Sequence, residues 1–188
     1  MSVIHVDFEA RYRADRDPWR YETSAYERSK YAATLEACGS GPFGHALELG
    51  GSIGVFSALL APRCTRLETL DGAPTAVTAA RERLVPFPGA HAALGTIPAD
   101  VPDGPFDLVV ASEVVYYLEP PRFEETLARL ADVLALGGRL VAVHWRRPDP
   151  ERRQSADLVH RTLRSCAWLR PLRICRRGAY LLDVLERR

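Results

Sequence analysis

Apolar residues gather into short runs separated by glycine, proline and polar punctuation, and two periodicities alternate along the chain. Residues 45–50, 66–71, 90–95, 106–112 and 139–145 are segments of strand length, and the run from Phe106 to Ser112 is the most continuously apolar of them. Between them lie stretches with helical spacing. One covers 53–61 and ends at Pro62; a second covers 74–84, opened by Pro74 in a first turn where no N–H is needed. A third covers 121–134, where Phe123, Leu127, Leu130, Val133 and Leu134 recur near the helical period and Gly137 and Gly138 read as its stop. Strands alternating with helices predict a mostly parallel sheet covered on both faces. A helix over 150–166 follows, and 169–175 with 179–185 read as an antiparallel hairpin turning at Arg176, Arg177 and Gly178, which brings the sheet to seven strands.

Residues 1–39 show no strand pattern. They hold the aromatic stretch Trp19, Tyr21, Tyr26 and Tyr31, and Ser24 with Glu27 three residues on predicts a capping box for a helix reaching Cys38. We read this segment as a helical lid over the ligand edge of the sheet. The expectation is one α/β domain of Rossmann-like architecture spanning 1–188, with a lid at 1–39 and a core at 40–188.

Composition narrows the class. With 188 residues, 47% hydrophobic and 26% charged, the chain suits one globular domain. No apolar run approaches the roughly 20 residues that cross a bilayer, and the first residues mix charges with apolar side chains, so a cytoplasmic protein without membrane contact is expected. Cys38, Cys64, Cys166 and Cys175 form no Cys-x-x-Cys pair and are read as free thiols, with no metal site. The net charge of +1 hides an asymmetry: from Trp145 onward there are 12 Arg against 5 acidic residues, and Lys30 is the sole lysine.

Candidate chemistry clusters at the carboxyl ends of the predicted strands, where open α/β sheets place their ligands. Glu48, Gly50, Gly51, Ser52 and Gly54 join the first strand to the first helix; glycines there let the backbone turn tightly and approach a ligand. Ser52 stands where a dinucleotide fingerprint needs its second glycine, which argues against NAD. The spacing acidic-x-Gly-x-x-x-Gly resembles the S-adenosylmethionine (SAM) turn of class I methyltransferases. Asp71, with Gly72 beside it, ends the second strand, and a carboxylate there can accept from both hydroxyls of a ribose. Thr96 and Ile97 follow the third strand, where an adenine ring would lie. Ser112, Glu113, Tyr116 and Tyr117 leave the fourth strand, the aromatic pair read as exposed walls for a small acceptor. His144 ends the fifth strand, and an imidazole titrating near neutral pH suits removal of a proton from the acceptor; His160, on the predicted last helix, is read as structural.

Asp17-Pro18-Trp19, the segment Tyr26-Glu27-Arg28-x-Lys30-Tyr31, the turn from Leu47 to Gly54, Ser112-Glu-Val-Val-Tyr-Tyr-Leu118 and Val143-His-Trp145 together resemble the NodS type of SAM-dependent methyltransferase, over about residues 8–160. The resemblance implies the class I methyltransferase fold, SAM as cofactor with S-adenosylhomocysteine as product, and no metal. It implies N-methylation of an amine on a small molecule such as a de-N-acetylated amino sugar. The cofactor set implied is Glu48, Gly50, Ser52, Gly54 and Asp71, with Trp19 and Arg28 reaching in from the lid and Arg28 pairing with the SAM carboxylate. Glu113, Tyr116 and His144 are the catalytic candidates. Gly51 stands where many relatives have cysteine, a change expected to be neutral. The stretch Asp149-Pro-Glu-Arg-Arg153 departs from the family's tyrosine-containing loop. An O-methyltransferase and a non-catalytic SAM-binding subunit stay open as alternatives. A nucleic-acid substrate is not expected, because the Asn/Asp-Pro-Pro-aromatic motif that grips a flipped base is absent.

Overall fold

Seven strands line up in the order β3-β2-β1-β4-β5-β7-β6 in the computed structural model, which describes residues 7–188. The strands are β1 (Phe43–Leu49), β2 (Cys64–Asp71), β3 (Ala90–Leu94), β4 (Phe106–Ser112), β5 (Leu134–Trp145), β6 (Leu169–Arg177) and β7 (Tyr180–Arg187). Pairing is parallel from β3 across to β5, and β7 runs antiparallel to both its neighbours, β5 and β6. The helices are α1 (Phe8–Ala14), α2 (Ala25–Cys38), α3 (Val55–Leu60), α4 (Pro74–Leu84), α5 (Pro120–Val133) and α6 (Ala156–Ser165). Among the described residues no helix is long and apolar enough to cross a membrane.

Alternation along the central strands sets the two faces. In β4, Val109 and Ala111 join a core with Phe123, Leu127 and Leu130 of α5 and Val159 and Leu163 of α6. Leu108 and Val110 point the other way, into a core with Tyr31, Ala37 and Cys38 of α2, Phe56 and Leu60 of α3 and Leu84 of α4. Burial of both faces explains why the strands read as continuous apolar runs. A third, smaller cluster seats the N-terminal segment: Tyr12 packs with Ile53 and with Ala73, Ala76 and Ala79, while Phe8 and Trp19 cover it.

Several boundaries differ from the sequence expectation. β5 begins at Leu134, so Gly137 and Gly138 lie inside a strand whose pairing with β4 shifts register between Phe106 and Leu108; Gly137 takes the left-handed conformation at this irregularity (φ 74°). The last helix starts at Ala156, capped by Ser155, and not at Pro150. Residues 146–155 form a loop tied back to the sheet edge, with the backbone N–H groups of Arg153 and Gln154 donating to the Tyr116 carbonyl at 3.0 and 3.1 Å. Ser24 does cap α2, accepting from Glu27 N at 3.3 Å. The reciprocal half of the capping box is not made: Glu27 turns its carboxylate to Lys30, and Ser24 N donates to the Arg20 carbonyl.

Candidate active site

The turn after β1 is built for close approach. Gly50 and Gly54 sit at φ 74° and 77°, and Ser52 adopts φ 51°, a conformation that costs a side-chain-bearing residue energy and is held by its surroundings. A Cβ at Gly50 would lie 2.8 Å from Val114, so only glycine fits between this turn and the loop after β4. At Gly51 a Cβ would meet Thr69 Oγ1 at 1.7 Å; cysteine there is not neutral in this chain, because Thr69 would have to move.

Asp71 organises the turn from the adjacent strand. Its carboxylate accepts from Ser52 N at 2.8 Å and from Ala73 N at 2.9 Å. Burial raises its pKa, and the backbone N–H groups of Ala73, Ser52 and Gly72 oppose that rise. Gly72 and Thr96 are exposed beside it, Gly95 N donates to the Asp71 carbonyl at 3.0 Å, and Thr96 is bound to Asp100. Ile97 packs partly buried on the α5 side of the core.

A cavity opens between this turn and the lid. Gly50, Gly51, Ser52, Ser112 and Glu113 form its floor, and Tyr21, Glu27, Lys30 and Tyr31 form its roof, with Glu48 and Phe56 at the back. Four of these side chains carry ionisable groups that decide its chemistry. Lys30 Nζ donates to Glu27 Oε1 at 3.1 Å and to Glu113 Oε1 at 2.8 Å. Burial alone would depress the Lys30 pKa, but Glu113 and Glu27 more than compensate and raise it, so the lysine is a buried ammonium. Glu48, buried and hydrogen-bonded by Ser57, is pushed up to about 7 by desolvation.

Glu113 is a hub. Besides Lys30, its carboxylate accepts from Trp145 N at 3.0 Å and from the Tyr116 hydroxyl. This triple engagement holds Glu113 in a left-handed conformation (φ 56°). Tyr116 is buried, contrary to the expected exposed wall; the Arg152 guanidinium lies 4.2 Å over its ring. Tyr117 is half-buried and meets Phe8 of the lid edge-on.

Three further expectations change. Arg28 is exposed and donates to the Thr23 carbonyl at 2.7 Å, turned away from the cavity. The cation in the cavity is Lys30, which the sequence reading left without a role. The signal was present: Glu27, Lys30, Tyr31, Thr34, Ala37 and Cys38 share the buried face of α2, and Arg28 lies off that face. Trp19 packs among Phe8, Tyr12 and Tyr21 instead of lining the cavity. His144 ends β5 at the ligand edge but is fully enclosed, its ring 4.9 Å from that of Tyr116. Burial, then His160, Arg152 and Lys30, hold its pKa well below 6.5, so it is neutral at pH 7 and does not titrate near neutrality.

The N-terminal segment is anchored by polar contacts that the sequence did not reveal. Glu9 accepts from Thr75 N and Oγ1 at 2.9 and 2.8 Å, Tyr12 shares a hydrogen bond with Ser52, and Arg11 pairs with Glu151 of the 146–155 loop. Lid, glycine turn and post-β5 loop thus meet around one opening.

The reversed β7, the glycine turn after β1 and the carboxylate ending β2 define the class I methyltransferase fold. The chain belongs to the Nodulation protein S (NodS) family, whose model matches residues 5–147. It is 36% identical over 134 residues to Nodulation protein S of Sinorhizobium fredii, covering 68% of this chain and 60% of that protein. To its counterpart in Rhizobium tropici it is 35% identical over 131 residues, covering 66% and 53%. The chain therefore spans a little over half of the length of these curated relatives. The crystal structure of N-methyltransferase NodS from Bradyrhizobium japonicum WM9 in complex with S-adenosylhomocysteine superposes with a TM-score of 0.83 at 28% identity, over 93% of both chains.

Proposed function

We propose that this protein is a SAM-dependent methyltransferase that N-methylates an amine on a small molecule, an amino sugar lacking its N-acetyl group being the favoured acceptor. It works as one domain in the cytoplasm, with residues 1–39 as its lid. The observation that carries this reading is the charge of the cavity: Glu27 and Glu113 outnumber its single cation, Lys30, and Glu48 behind them holds a proton up to about pH 7. Such a lining suits a ligand with sulfonium and ammonium groups and rejects a diphosphate. The residues present fit SAM. The Gly50 turn would take its amino-acid end, Lys30 would be the cation for its carboxylate, Asp71 has acceptor capacity left for ribose hydroxyls, and Ile97 would pack on the adenine.

Bound there, SAM supplies a methyl group on a positively charged sulfur, open to in-line displacement. The chain contributes alignment, which is worth about 7–11 kcal/mol in well-oriented reactions. The lid aromatics exclude water, and the carboxylates keep the pocket hospitable to a positively charged amine. Neutral His144 holds a free lone pair for the proton that the amine must lose. Its Nε2 has no exposed surface, so the Tyr116 ring beside it must shift to let the proton through.

Incubation with SAM and a panel of glucosamine-type amines and their N-acetylated counterparts tests this reading. Methylated amines detected by mass, with no transfer to the acetylated sugars, are expected. Transfer to the acetylated sugars alone would overturn the amine reading in favour of an O-methyltransferase, and binding of SAM with no turnover on any acceptor would mark an accessory subunit.

A further inference from the structure

His144 is one end of a chain of four side chains, three of them fully buried, that crosses three elements. Its Nδ1 lies 3.1 Å from Nε2 of His160 on α6. His160 Nδ1 lies 2.8 Å from Oδ2 of Asp183 on β7. Arg164, one turn further along α6, donates from Nε and Nη2 to the two oxygens of Asp183 at 2.7 and 2.9 Å. His144, His160 and Asp183 have no exposed surface, and at the near end His144 Nε2 has no partner. Asp183 occupies a core position of β7, paired across the sheet with Ala142, and His160 stands on the apolar face of α6 with Val159 and Leu163. Polar groups in such places are costly unless fully paired; every one here is paired except His144 Nε2.

The order of partners dictates where the protons sit. Burial would raise the Asp183 pKa, but the hydrogen bonds from His160 and Arg164 outweigh it and lower it, so Asp183 is a carboxylate and can only accept. His160 then carries a hydrogen on Nδ1, and in its neutral form it keeps a lone pair on Nε2. For the 3.1 Å contact to be a hydrogen bond, His144 must donate from Nδ1. Neutral His144 therefore has its lone pair on Nε2, toward the end of the chain that has no protein partner.

We propose that His160 and Asp183 are positioning residues that lock His144 in the Nδ1–H tautomer and so present its Nε2 as the proton acceptor for methyl transfer. The inference rests on the reading of His144 as the base of an N-methyltransferase. In the step itself, the ammonium N–H bond breaks as His144 Nε2 takes the proton, the nitrogen lone pair so freed forms the bond to the methyl carbon, and the methyl carbon–sulfur bond breaks with its electron pair left on the departing thioether, S-adenosylhomocysteine. The Nδ1 proton of His144 can pass to His160 Nε2, placing the positive charge beside Asp183 and away from Arg152 and Lys30; nothing further is consumed. The groups that face His144 are the Tyr116 ring, His160, and the cations Arg152 and Lys30.

Two measurements on the full chain test this, one independent of turnover. Nitrogen NMR of the histidine rings in the protein with S-adenosylhomocysteine bound should show His144 and His160 both protonated on Nδ1. In Asp183→Asn the side-chain amide donates where the carboxylate accepted, which should reverse the order and move the His144 proton to Nε2. That variant and His160→Leu should lose about 10²-fold or more in kcat, with S-adenosylhomocysteine affinity and acceptor KM within a factor of a few. His160→Gln, whose carbonyl can still accept from His144 Nδ1, should recover most of the loss. Native cofactor affinity and KM in the impaired variants keep misfolding from mimicking the effect. A wild-type His144 protonated on Nε2 overturns the proposal, as does a normal kcat and pH profile in Asp183→Asn and His160→Leu while His144→Gln is impaired. A normal kcat in His144→Gln removes the base reading itself, and with it the role assigned to the chain.

Discussion

Lys30 Nζ lies 2.8 Å from Glu113 Oε1, an ion pair that ties the lid helix α2 to the loop leaving β4. The two residues are 83 positions apart, and the lysine side chain keeps only 3% of its exposure. Breaking a buried pair leaves its partner uncompensated, which costs far more than the pair itself contributes. Lys30→Met should therefore destabilise the protein by about 3–5 kcal/mol, since both Glu113 and Glu27 lose their cation. It should also weaken S-adenosylhomocysteine binding. Arg28→Met, at an exposed site, should change stability by no more than about 0.5 kcal/mol. Denaturant titration and calorimetry compare the two; equal effects would mean that Lys30 does not hold the site together.

Glu48 makes a pH signature. Its folded pKa of about 7 exceeds the ordinary 4.5, so the folded state holds a proton that the unfolded state has lost between those values. Stability contributed by this group is present below pH 4.5 and falls as pH rises toward 7, by roughly 3 kcal/mol over the window. Glu48→Gln cannot titrate. Its stability relative to wild type should rise steadily from pH 5 to pH 7.5, and a constant difference across that range would show that Glu48 ionises normally.

Asp71 carries two loads. Asp71→Ala removes the acceptor for Ser52 N and Ala73 N as well as the candidate acceptor for ribose hydroxyls. The melting temperature should drop, and S-adenosylhomocysteine affinity should weaken by about 1–3 kcal/mol, the cost of leaving a buried donor unpaired. Unchanged affinity in a variant with native circular dichroism would exclude Asp71 from the cofactor site.

In the proposed reading the N-terminal segment opens to exchange cofactor for product, yet Glu9, Arg11 and Tyr12 pin it to α4, the 146–155 loop and the glycine turn. Tyr12→Phe removes the hydroxyl bonded to Ser52 and keeps the packing. Hydrogen exchange over residues 8–31 should speed up in this variant without ligand by a factor of about 5 to 10, as expected for a hydrogen bond of roughly 1 kcal/mol. Added S-adenosylhomocysteine should slow exchange in both proteins. Equal protection in all four samples would make the segment a fixed part of the core.

How much of this was legible in the sequence follows from how local each determinant is. The β1 turn was readable because left-handed backbone demands glycine at fixed spacing, and Asp71 because it ends an apolar run. The strands were readable from burial on both faces. α1 was not, since its seven residues draw their stability from packing on α4 and not from propensity. The role of Lys30 is hidden because Arg28, two positions away, carries the same charge, although the buried face of α2 separates the two. His160 and Asp183 lie 16 and 39 positions from His144 and meet it only because β7 inserts between β5 and β6 with α6 laid over them. Polar residues at core positions of α6 and β7 were the signal, and pairing them required the strand order.

Arg152 offers a way to move the His144 titration without touching the buried chain. Its guanidinium stacks over Tyr116 and lies 5.2 Å from the Trp145 ring centroid, and it donates to the Trp145 and Arg147 carbonyls, fixing the loop after β5. As a nearby cation it disfavours the imidazolium form of His144, after burial and His160. In Arg152→Met that repulsion is gone, so the His144 pKa should rise while staying below that of an exposed histidine. A higher pKa means that the base is protonated over more of the acid range, so the acid limb of the kcat profile should move to higher pH. The sign is opposite to what loosening the loop and admitting water alone would give for a carboxylate base, whose pKa would fall on better solvation. A pH series of kcat for wild type, Arg152→Met and Arg152→Lys separates these cases: lysine should hold the limb near its wild-type position and methionine should shift it upward. A limb that stays fixed in Arg152→Met, or moves down, would show that the group lost to acid is not His144.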